Sequence, residues 1–216
     1  MELKGKKVLF LGDSITEGVG ASSVERRYTD VFAKITGAEV FNYGISGTRI
    51  ARQHSVSDNR SFDQNFVDRS LRMNDEADFV VVFGGTNDYG HGDAPIGCFT
   101  DTADTTFYGA MHTLCKNLYE RYPTATVLFM TPLHRLTELS TLKTYQGRYA
   151  TLKDYVDIIR EVCEFYAIPV LDLYSRSGMQ PLIEKNRELY MKDGLHPTDA
   201  GAERIAHMLA SFIKAL

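Results

Sequence analysis

Five short segments of this chain are almost entirely apolar, and stretches with helical spacing separate them. The apolar segments cover residues 6–12, 39–44, 78–84, 126–131 and 168–174. They are rich in Val, Phe, Leu and Ile, and several show no alternation with polar residues. Continuous apolarity is typical of strands that are buried on both faces of a parallel sheet. The pattern therefore favours a sheet that is covered by helices on both sides.

The intervening segments carry apolar residues three and four positions apart, which is the spacing of one helix face. This spacing predicts helices over 104–122 and 147–166, and a last helix over 198–215 with Thr198 as its N-cap. Strand–helix alternation predicts right-handed crossovers and a three-layer α/β/α sandwich. We expect a five-stranded, mostly parallel sheet in the flavodoxin-like order 2-1-3-4-5, within one domain of residues 1–216.

Three longer segments fit neither pattern, and they cover residues 52–62, 88–103 and 132–146. The last two directly follow the third and fourth predicted strands. Loops that leave the carboxyl ends of parallel strands line the ligand crevice of open α/β sheets. We therefore expect functional residues to cluster at the strand ends.

Charge and composition argue against several partners. The net charge is −4, which gives no reason to expect nucleic acid or an anionic membrane. No apolar stretch approaches the roughly 20 residues of a membrane helix, and the run VLFL near the start is followed by Gly-Asp, as in a strand and unlike a signal peptide. Three widely spaced cysteines without a metal or CxxC spacing favour reduced thiols in a cytoplasmic protein.

The first predicted strand ends in Gly12-Asp13-Ser14. A serine at this turn would offer a hydroxyl at the sheet edge. Its backbone N–H would belong to the free first turn of a helix, where partial positive charge collects. For an isolated match, however, an ordinary helix N-cap is the more common explanation.

Two further strand ends carry candidate hydrogen-bond donors. The second strand ends at Gly44, where a glycine lets the backbone approach a ligand closely. The third is followed by Gly85-Thr86-Asn87-Asp88, in which the Asn87 amide could hold a developing oxyanion without a titrating charge. Taken alone, each segment is equally typical of a plain turn.

Near the end of the chain, Asp193 precedes His196 by three residues, just before the last predicted helix. A catalytic histidine needs a carboxylate on one ring nitrogen, which fixes its tautomer and stabilises the imidazolium. An Asp and a His three residues apart on a tight turn can meet in this way. A lone histidine at a helix start is otherwise an ordinary surface residue.

Together, in this order, the four motifs resemble the SGNH hydrolase family, also called GDSL esterases and lipases. The resemblance spans the chain from Gly12-Asp13-Ser14 to His196, with Ile15 where many members have Leu. It implies that Ser14 is the nucleophile of a serine esterase that works through an acyl-enzyme. It implies that Asp193 and His196 complete a catalytic triad, and that neither a metal nor a cofactor is needed.

The resemblance also implies an oxyanion hole. Its three donors would be the backbone N–H groups of Ser14 and Gly44 and the side chain of Asn87.

The resemblance to the family does not by itself determine which ester is the substrate. The loops after the third and fourth strands are polar with an occasional ring, which suits a hydroxylated substrate. Short-acyl esters, above all acetyl groups on a small molecule or carbohydrate, are therefore the leading hypothesis. A lipase, thioesterase or lysophospholipase-type acylhydrolase of the same family stays open. The candidate substrate-binding residues are Asp13, Tyr89, His134 and Tyr145, although loop packing explains the tyrosines equally well.

Other classes fit less well. The residues His91, Asp93 and His134 match no zinc motif, and HExxH is absent. The first strand lacks both the GxGxxG pattern and a P-loop lysine, and Asp13 would repel a phosphate. The G-x-S-x-G elbow does not occur either. A non-catalytic ligand-binding module on the same fold remains the alternative to an enzyme, and the sequence gives no expectation for the oligomeric state.

Overall fold

The computed structural model describes residues 2–140, 142–143 and 149–216, and its main sheet is parallel throughout. The strands of this sheet are β1 (Lys7–Gly12), β2 (Glu39–Gly44), β3 (Phe79–Phe83), β4 (Thr126–Met130) and β7 (Val170–Leu171). Their order is β2-β1-β3-β4-β7, which confirms the predicted order 2-1-3-4-5. A second, antiparallel pair joins β5 (Leu142–Lys143) to β6 (Tyr149–Ala150).

Helices surround the sheet and follow the strands along the chain. They are α1 (Ser14–Glu17), α2 (Tyr28–Thr36), α3 (Phe66–Ser70), α4 (Thr86–His91), α5 (Phe107–Arg121), α6 (Leu152–Phe165), α7 (Leu173–Arg176), α8 (Glu184–Tyr190) and α9 (Asp199–Ala215). Short 3₁₀ turns cover Val24–Arg26 and Arg60–Asp63. No helix in the described part of the chain is long and apolar enough to cross a bilayer.

Alternate residues of each central strand enter two separate hydrophobic cores. Leu9 and Leu11 of β1 pack on the side of α3, α5 and α6. Val8 and Phe10 pack on the opposite side, against α2 and α9. Because both faces are covered, both sets of positions must be apolar. This packing is the physical reason for the continuous apolar runs in the sequence.

Side-chain caps determine where two of the predicted helices begin. Thr198 accepts the Gly201 N–H at the start of α9, as predicted. The helix predicted over 147–166 begins later, at Leu152, because Thr151 and Asp154 form a capping box there. Residues 149–150 before it are paired with β5 instead.

Two local predictions are wrong. The strand expected over 168–174 pairs only at Val170–Leu171, because the Asp172 side chain accepts the Ser175 N–H and starts α7. The irregular segment expected to begin at residue 88 begins later, since residues 86–91 form α4. Both differences lie at the carboxyl edge of the sheet, where the chain turns sharply out of a strand.

Candidate active site

Ser14 is the first residue of α1 and follows β1 after a single linking residue, Asp13. The Asp13 side chain accepts the Ile15 N–H at 3.0 Å and caps this short helix. The cap turns the chain sharply, so that the serine hydroxyl stands at the carboxyl edge of the sheet. The Ser14 side chain is mostly but not fully buried, as a reactive group at the floor of a crevice would be.

His196 lies next to Ser14, although 182 residues separate them in the chain. Its Nε2 atom is 2.9 Å from Ser14 Oγ. Its Nδ1 atom is 2.7 Å from Oδ2 of Asp193. Because a carboxylate can only accept, Nδ1 carries the proton and Nε2 is free to accept the serine O–H.

A tight turn holds Asp193 in place. Its Oδ1 atom accepts the backbone N–H groups of Leu195 at 2.9 Å and His196 at 2.7 Å. Partial burial alone would raise the pKa of Asp193, but the hydrogen bonds from the His196 side chain and these two N–H groups outweigh it and lower the pKa. The carboxylate is therefore ionised at neutral pH and able to orient His196.

Asn87 lies in the first turn of α4, buried beside the end of β3. Its Nδ2 atom donates to the Thr48 carbonyl oxygen at 3.1 Å. A carboxamide nitrogen carries two hydrogens, so the second remains available to a ligand. The Thr48 contact thus fixes the orientation of a polar donor that carries no charge.

The backbone N–H of Gly44 is already used. It donates to Oδ1 of Asn42 at 2.8 Å. The Asn42 amide in turn donates to the Thr16 carbonyl oxygen at 2.6 Å, which ties the end of β2 to α1. A Cβ added at Gly44 would lie only 2.1 Å from the Glu17 nitrogen. The close approach that requires a glycine here is therefore packing against α1, which corrects the interpretation of Gly44 as an oxyanion donor.

Gly47, three residues further on, has a backbone N–H that the sequence interpretation did not consider. Its φ angle is +75°, which favours glycine. No acceptor for its N–H lies within the described ranges. The next residue is Thr48, whose carbonyl oxygen receives the Asn87 amide. The segment Asn42-Tyr43-Gly44-Ile45-Ser46-Gly47 contains two glycines, and nothing in the sequence indicates which of their N–H groups is left free.

The model of the GDSL-like Lipase/Acylhydrolase family matches residues 10–204. The chain belongs to this family. Membership makes it a hydrolase that acts on ester bonds, in agreement with the resemblance of its motifs. No curated protein matches the chain.

Solved structures share the fold of this chain. One is 35% identical, superimposes with a TM-score of 0.86, and is matched over 100% of this chain and 99% of its own. A protein from Lactobacillus plantarum is 34% identical at a TM-score of 0.83, over 98% of both chains. The lipase/acylhydrolase from Enterococcus faecalis shares the fold at 21% identity and a TM-score of 0.66, over 97% of this chain and 96% of its own.

Two buried carboxyl groups lie under the nucleophile of this GDSL-family chain. Burial raises the pKa of Asp13 to about 7, against the lowering effect of the Ile15 N–H. Burial likewise raises the pKa of Asp88 to about 6, although the Ala51 and Ile50 N–H groups, each at 2.9 Å, oppose it. Asp13 caps α1 and is almost completely inaccessible, which corrects its interpretation as a substrate-binding residue.

The other candidate substrate contacts of this GDSL-family chain are also engaged in the fold. Tyr89 is buried, and its hydroxyl lies 2.7 Å from the carbonyl oxygens of Thr137 and Ser140. It therefore anchors the loop after β4 and does not line the crevice. Tyr145 lies outside the described residues.

His134 is engaged within that same loop. Its Nδ1 atom lies 2.8 Å from the buried Glu138 carboxylate, and its ring centroid is 3.9 Å from that of Tyr174. These contacts give His134 a structural role in the loop, and its interpretation as a substrate contact stays a prediction. Within the described part of this GDSL-family chain, no three His, Cys, Asp or Glu side chains are grouped as a metal site requires.

Proposed function

We propose that this chain is a serine esterase that cleaves carboxylic esters through an acyl-enzyme. The observation that carries the proposal is the line of hydrogen bonds from Ser14 Oγ to His196 and on to Asp193, with distances of 2.9 and 2.7 Å. Ser14 Oγ attacks the ester carbonyl, and His196 Nε2 takes the hydroxyl proton. The imidazolium then gives this proton to the leaving alcohol.

The second half of the reaction uses the same groups. His196 removes a proton from water, whose oxygen attacks the acyl carbonyl carbon on Ser14. The tetrahedral intermediate collapses, the acyl–oxygen bond to Ser14 breaks, and His196 returns the proton to Oγ. The products are a carboxylic acid and the free serine, with no net change in the enzyme.

Three donors would hold the oxyanion in both halves. These are the Ser14 N–H at the start of α1, the Gly47 N–H and the second hydrogen of the Asn87 amide. Donors that are fixed before the reaction stabilise developing charge without reorganisation. The Thr48 contact of Asn87 and the positive φ of Gly47 support this assignment, which replaces Gly44 by Gly47.

Ser14→Ala tests the nucleophile. We expect the variant to keep the wild-type thermal midpoint, to lose turnover of p-nitrophenyl acetate, and to resist labelling by a fluorophosphonate probe. Ser211→Ala, on the exposed side of α9, is the matched control and should behave as wild type. Wild-type turnover by the Ser14→Ala variant would contradict the mechanism. A wild-type serine that the probe does not label would favour a ligand-binding module instead.

For the substrate, we propose short-acyl esters of hydroxylated compounds, with acetylated carbohydrate as the first candidate. A cavity of about 460 Å³ lies against His196 and is lined by Gly20, Lys192, Asp193, His196 and Thr198. The alcohol part of an ester leaves from the histidine side of the serine, since His196 must protonate it. The cavity surface is mostly apolar, with Lys192 and Thr198 as polar lining residues, which suits a small leaving group that packs against carbon and forms a few hydrogen bonds.

Arg135 is a further polar group close to Asn87 in the chain fold. Its Nη1 atom donates to the Thr86 carbonyl oxygen at 3.0 Å, next to Asn87, and its guanidinium lies over the Tyr89 ring. A long alkyl chain laid here would remove the remaining exposed part of this guanidinium from water without adding a hydrogen bond to it, which is costly. A panel of acetyl, butyryl, octanoyl and palmitoyl p-nitrophenyl esters, together with acetylated xylan, tests the preference. Fastest turnover of the long chains would favour a lipase or lysophospholipase-type activity.

A further inference from the structure

Arg69 is a buried cation on α3 that the proposed reaction does not use. Its side chain is almost fully enclosed, with 6% of the residue exposed. Its Nη1 atom donates to Thr48 Oγ1 at 2.9 Å. Its Nη2 atom donates to the Gly12 carbonyl oxygen at 3.1 Å and also to the carbonyl oxygen of Tyr43. One guanidinium therefore joins α3 to two chain segments that are distant from it in sequence, the end of β1 at Gly12 and the segment from Tyr43 to Thr48.

Each of the three contacted residues is close in the chain to a proposed oxyanion donor or hydrogen-bonded to one. Gly12 ends β1, two residues before Ser14. Tyr43 is near the end of β2 and leads into the turn that contains Gly47. Thr48 ends that turn, and its carbonyl oxygen receives the Asn87 amide. The positions of all three donors thus depend on groups that Arg69 holds.

The turn of residues 45–48 is held by hydrogen bonds to two of the groups that Arg69 contacts, the Gly12 carbonyl oxygen and the Thr48 hydroxyl. The Ile45 N–H donates to the Gly12 carbonyl oxygen at 3.2 Å, and the Thr48 hydroxyl donates to the Ile45 carbonyl oxygen at 2.7 Å. Parallel strands separate where they leave a sheet, so their last carbonyl groups cannot all pair with one another. A guanidinium offers five N–H donors in one rigid plane and can serve several such carbonyls at once.

The charge of Arg69 is retained in this enclosed position. Burial lowers the pKa of Arg69 to about 10, while the nearby Asp13 and Glu17 carboxylates raise it. The guanidinium is therefore still protonated at neutral pH, and it keeps a fixed positive charge among the segments that carry the proposed oxyanion donors. Charges held in a water-poor site act more strongly than charges in water.

We propose that Arg69 is a positioning residue of the oxyanion hole, which holds the Ser14, Gly47 and Asn87 donors at their mutual distances. The inference rests on the proposed esterase function. A misplaced donor weakens binding of the transition state more than binding of the ground state. Loss of Arg69 should therefore lower kcat by about 10–100-fold, in the range of a displaced catalytic group, and leave KM nearly unchanged.

The experiment compares Arg69→Ala and Arg69→Lys with wild type on p-nitrophenyl acetate. Inhibition by an alkylboronic acid, which forms a tetrahedral adduct with serine, should weaken in step with kcat in both variants. A lysine keeps the charge but offers a single point of attachment, so Arg69→Lys should lose less activity than Arg69→Ala. Arg121→Ala is the matched control, because Arg121 donates to the Met73 carbonyl oxygen outside the site. It should keep wild-type kcat.

Chemical rescue separates positioning from general stability. A cavity of about 170 Å³, lined by Tyr43, Ile45, Gln64, Arg69 and Arg72, leads to the guanidinium and gives a small cation a way in. Guanidinium at millimolar concentration should raise kcat of Arg69→Ala and leave kcat of Arg121→Ala unchanged. If Arg69→Ala does not fold, Arg69→Lys decides the question by its kcat and its boronic acid affinity.

Wild-type kcat and boronic acid affinity in folded Arg69→Lys and Arg69→Ala would overturn the inference. An equal loss of kcat and of the affinity for a product acid would also overturn it, since positioning of the oxyanion hole affects the tetrahedral state selectively. Failure of the esterase proposal would give a different result. Ser14 would then resist the fluorophosphonate probe both in the wild-type protein and in the Arg69 variants.

Discussion

The Asn42 side-chain oxygen accepts the Gly44 N–H at 2.8 Å, and this contact removes Gly44 from the set of free donors at the site. Gly47 is left to supply the backbone N–H of the second loop. We expect the Gly47 amide proton to shift strongly downfield when a boronic acid forms its adduct with Ser14, because it then donates to an anion. The Gly44 amide serves as the internal control in the same NMR titration. A larger shift at Gly44 than at Gly47 would restore Gly44 as the donor.

Asn87→Ala removes the side-chain donor of the oxyanion hole. We expect kcat on p-nitrophenyl acetate to fall by about 10²–10³-fold, as for other single donors of this kind. KM should change little, because the interaction forms mainly in the transition state. Asn117→Ala on α5 is the control and should keep its kcat. A fall in kcat of less than twofold for Asn87→Ala would remove Asn87 from the mechanism.

Asp193→Asn keeps the size of the side chain but removes the negative charge that orients His196. An amide in this place favours the wrong tautomer of the imidazole, and kcat should fall by about 10⁴-fold. Asp199→Asn is the control, because Asp199 accepts hydrogen bonds from Ser22 at the exposed start of α9 and does not contact His196. Steady-state kinetics at pH 7 measures kcat of both variants. Equal kcat for Asp193→Asn and Asp199→Asn would exclude Asp193 from the triad.

The buried carboxyl group of Asp13 makes stability depend on pH. Burial raises its pKa from an ordinary value of 3.8 to about 7, so the folded protein holds a proton that the unfolded chain releases between these values. Its contribution to the free energy of unfolding is therefore complete below pH 4 and is lost as the pH rises towards and through 7. Asp13→Asn keeps the cap on α1 without a titrating group.

Urea unfolding at several pH values measures this effect. The difference in free energy of unfolding, Asp13→Asn minus wild type, should increase by about 1–3 kcal/mol as the pH rises from 5 to 8. One pKa unit corresponds to about 1.4 kcal/mol. Asp58→Asn changes an exposed carboxylate and should track wild type. Parallel pH profiles for Asp13→Asn and wild type would show that Asp13 ionises at its ordinary pKa.

His134→Ala tests the structural assignment of this histidine. The variant leaves the buried Glu138 carboxylate without its partner, and an unpaired buried polar group costs about 1–3 kcal/mol. We expect the free energy of unfolding to fall by this amount, with KM for p-nitrophenyl acetate nearly unchanged. The control is His207→Ala, whose partner Glu203 is exposed and 4.0 Å away. A large rise in KM with unchanged stability would instead support His134 as a substrate contact.

The apolar runs and the helical spacing were enough to predict the layers of this fold, whereas the strand order, which the structure confirms, was chosen as a common topology for such layers. Such patterns are local, because a strand buried on both faces must be apolar at nearly every position, as Val8 and Leu9 are. Thr198 could likewise be read as a cap from its neighbours alone. The end of the strand at Leu171 could not be predicted in this way. It depends on Asp172, whose side chain accepts a hydrogen bond from Thr131 in another segment.

The same distinction applies to the site. The sequence by itself determined which residues could carry serine chemistry, since Ser14, Asn87, Asp193 and His196 stand at strand ends or beside a helix start. Only the tertiary structure decided how those residues and their neighbours are used. In the structure, the Gly44 N–H donates to Asn42, Tyr89 is buried, and Arg69 donates to Thr48. The physical reason is that a hydrogen bond between distant segments depends on their separation in space, which local spacing in the chain does not encode.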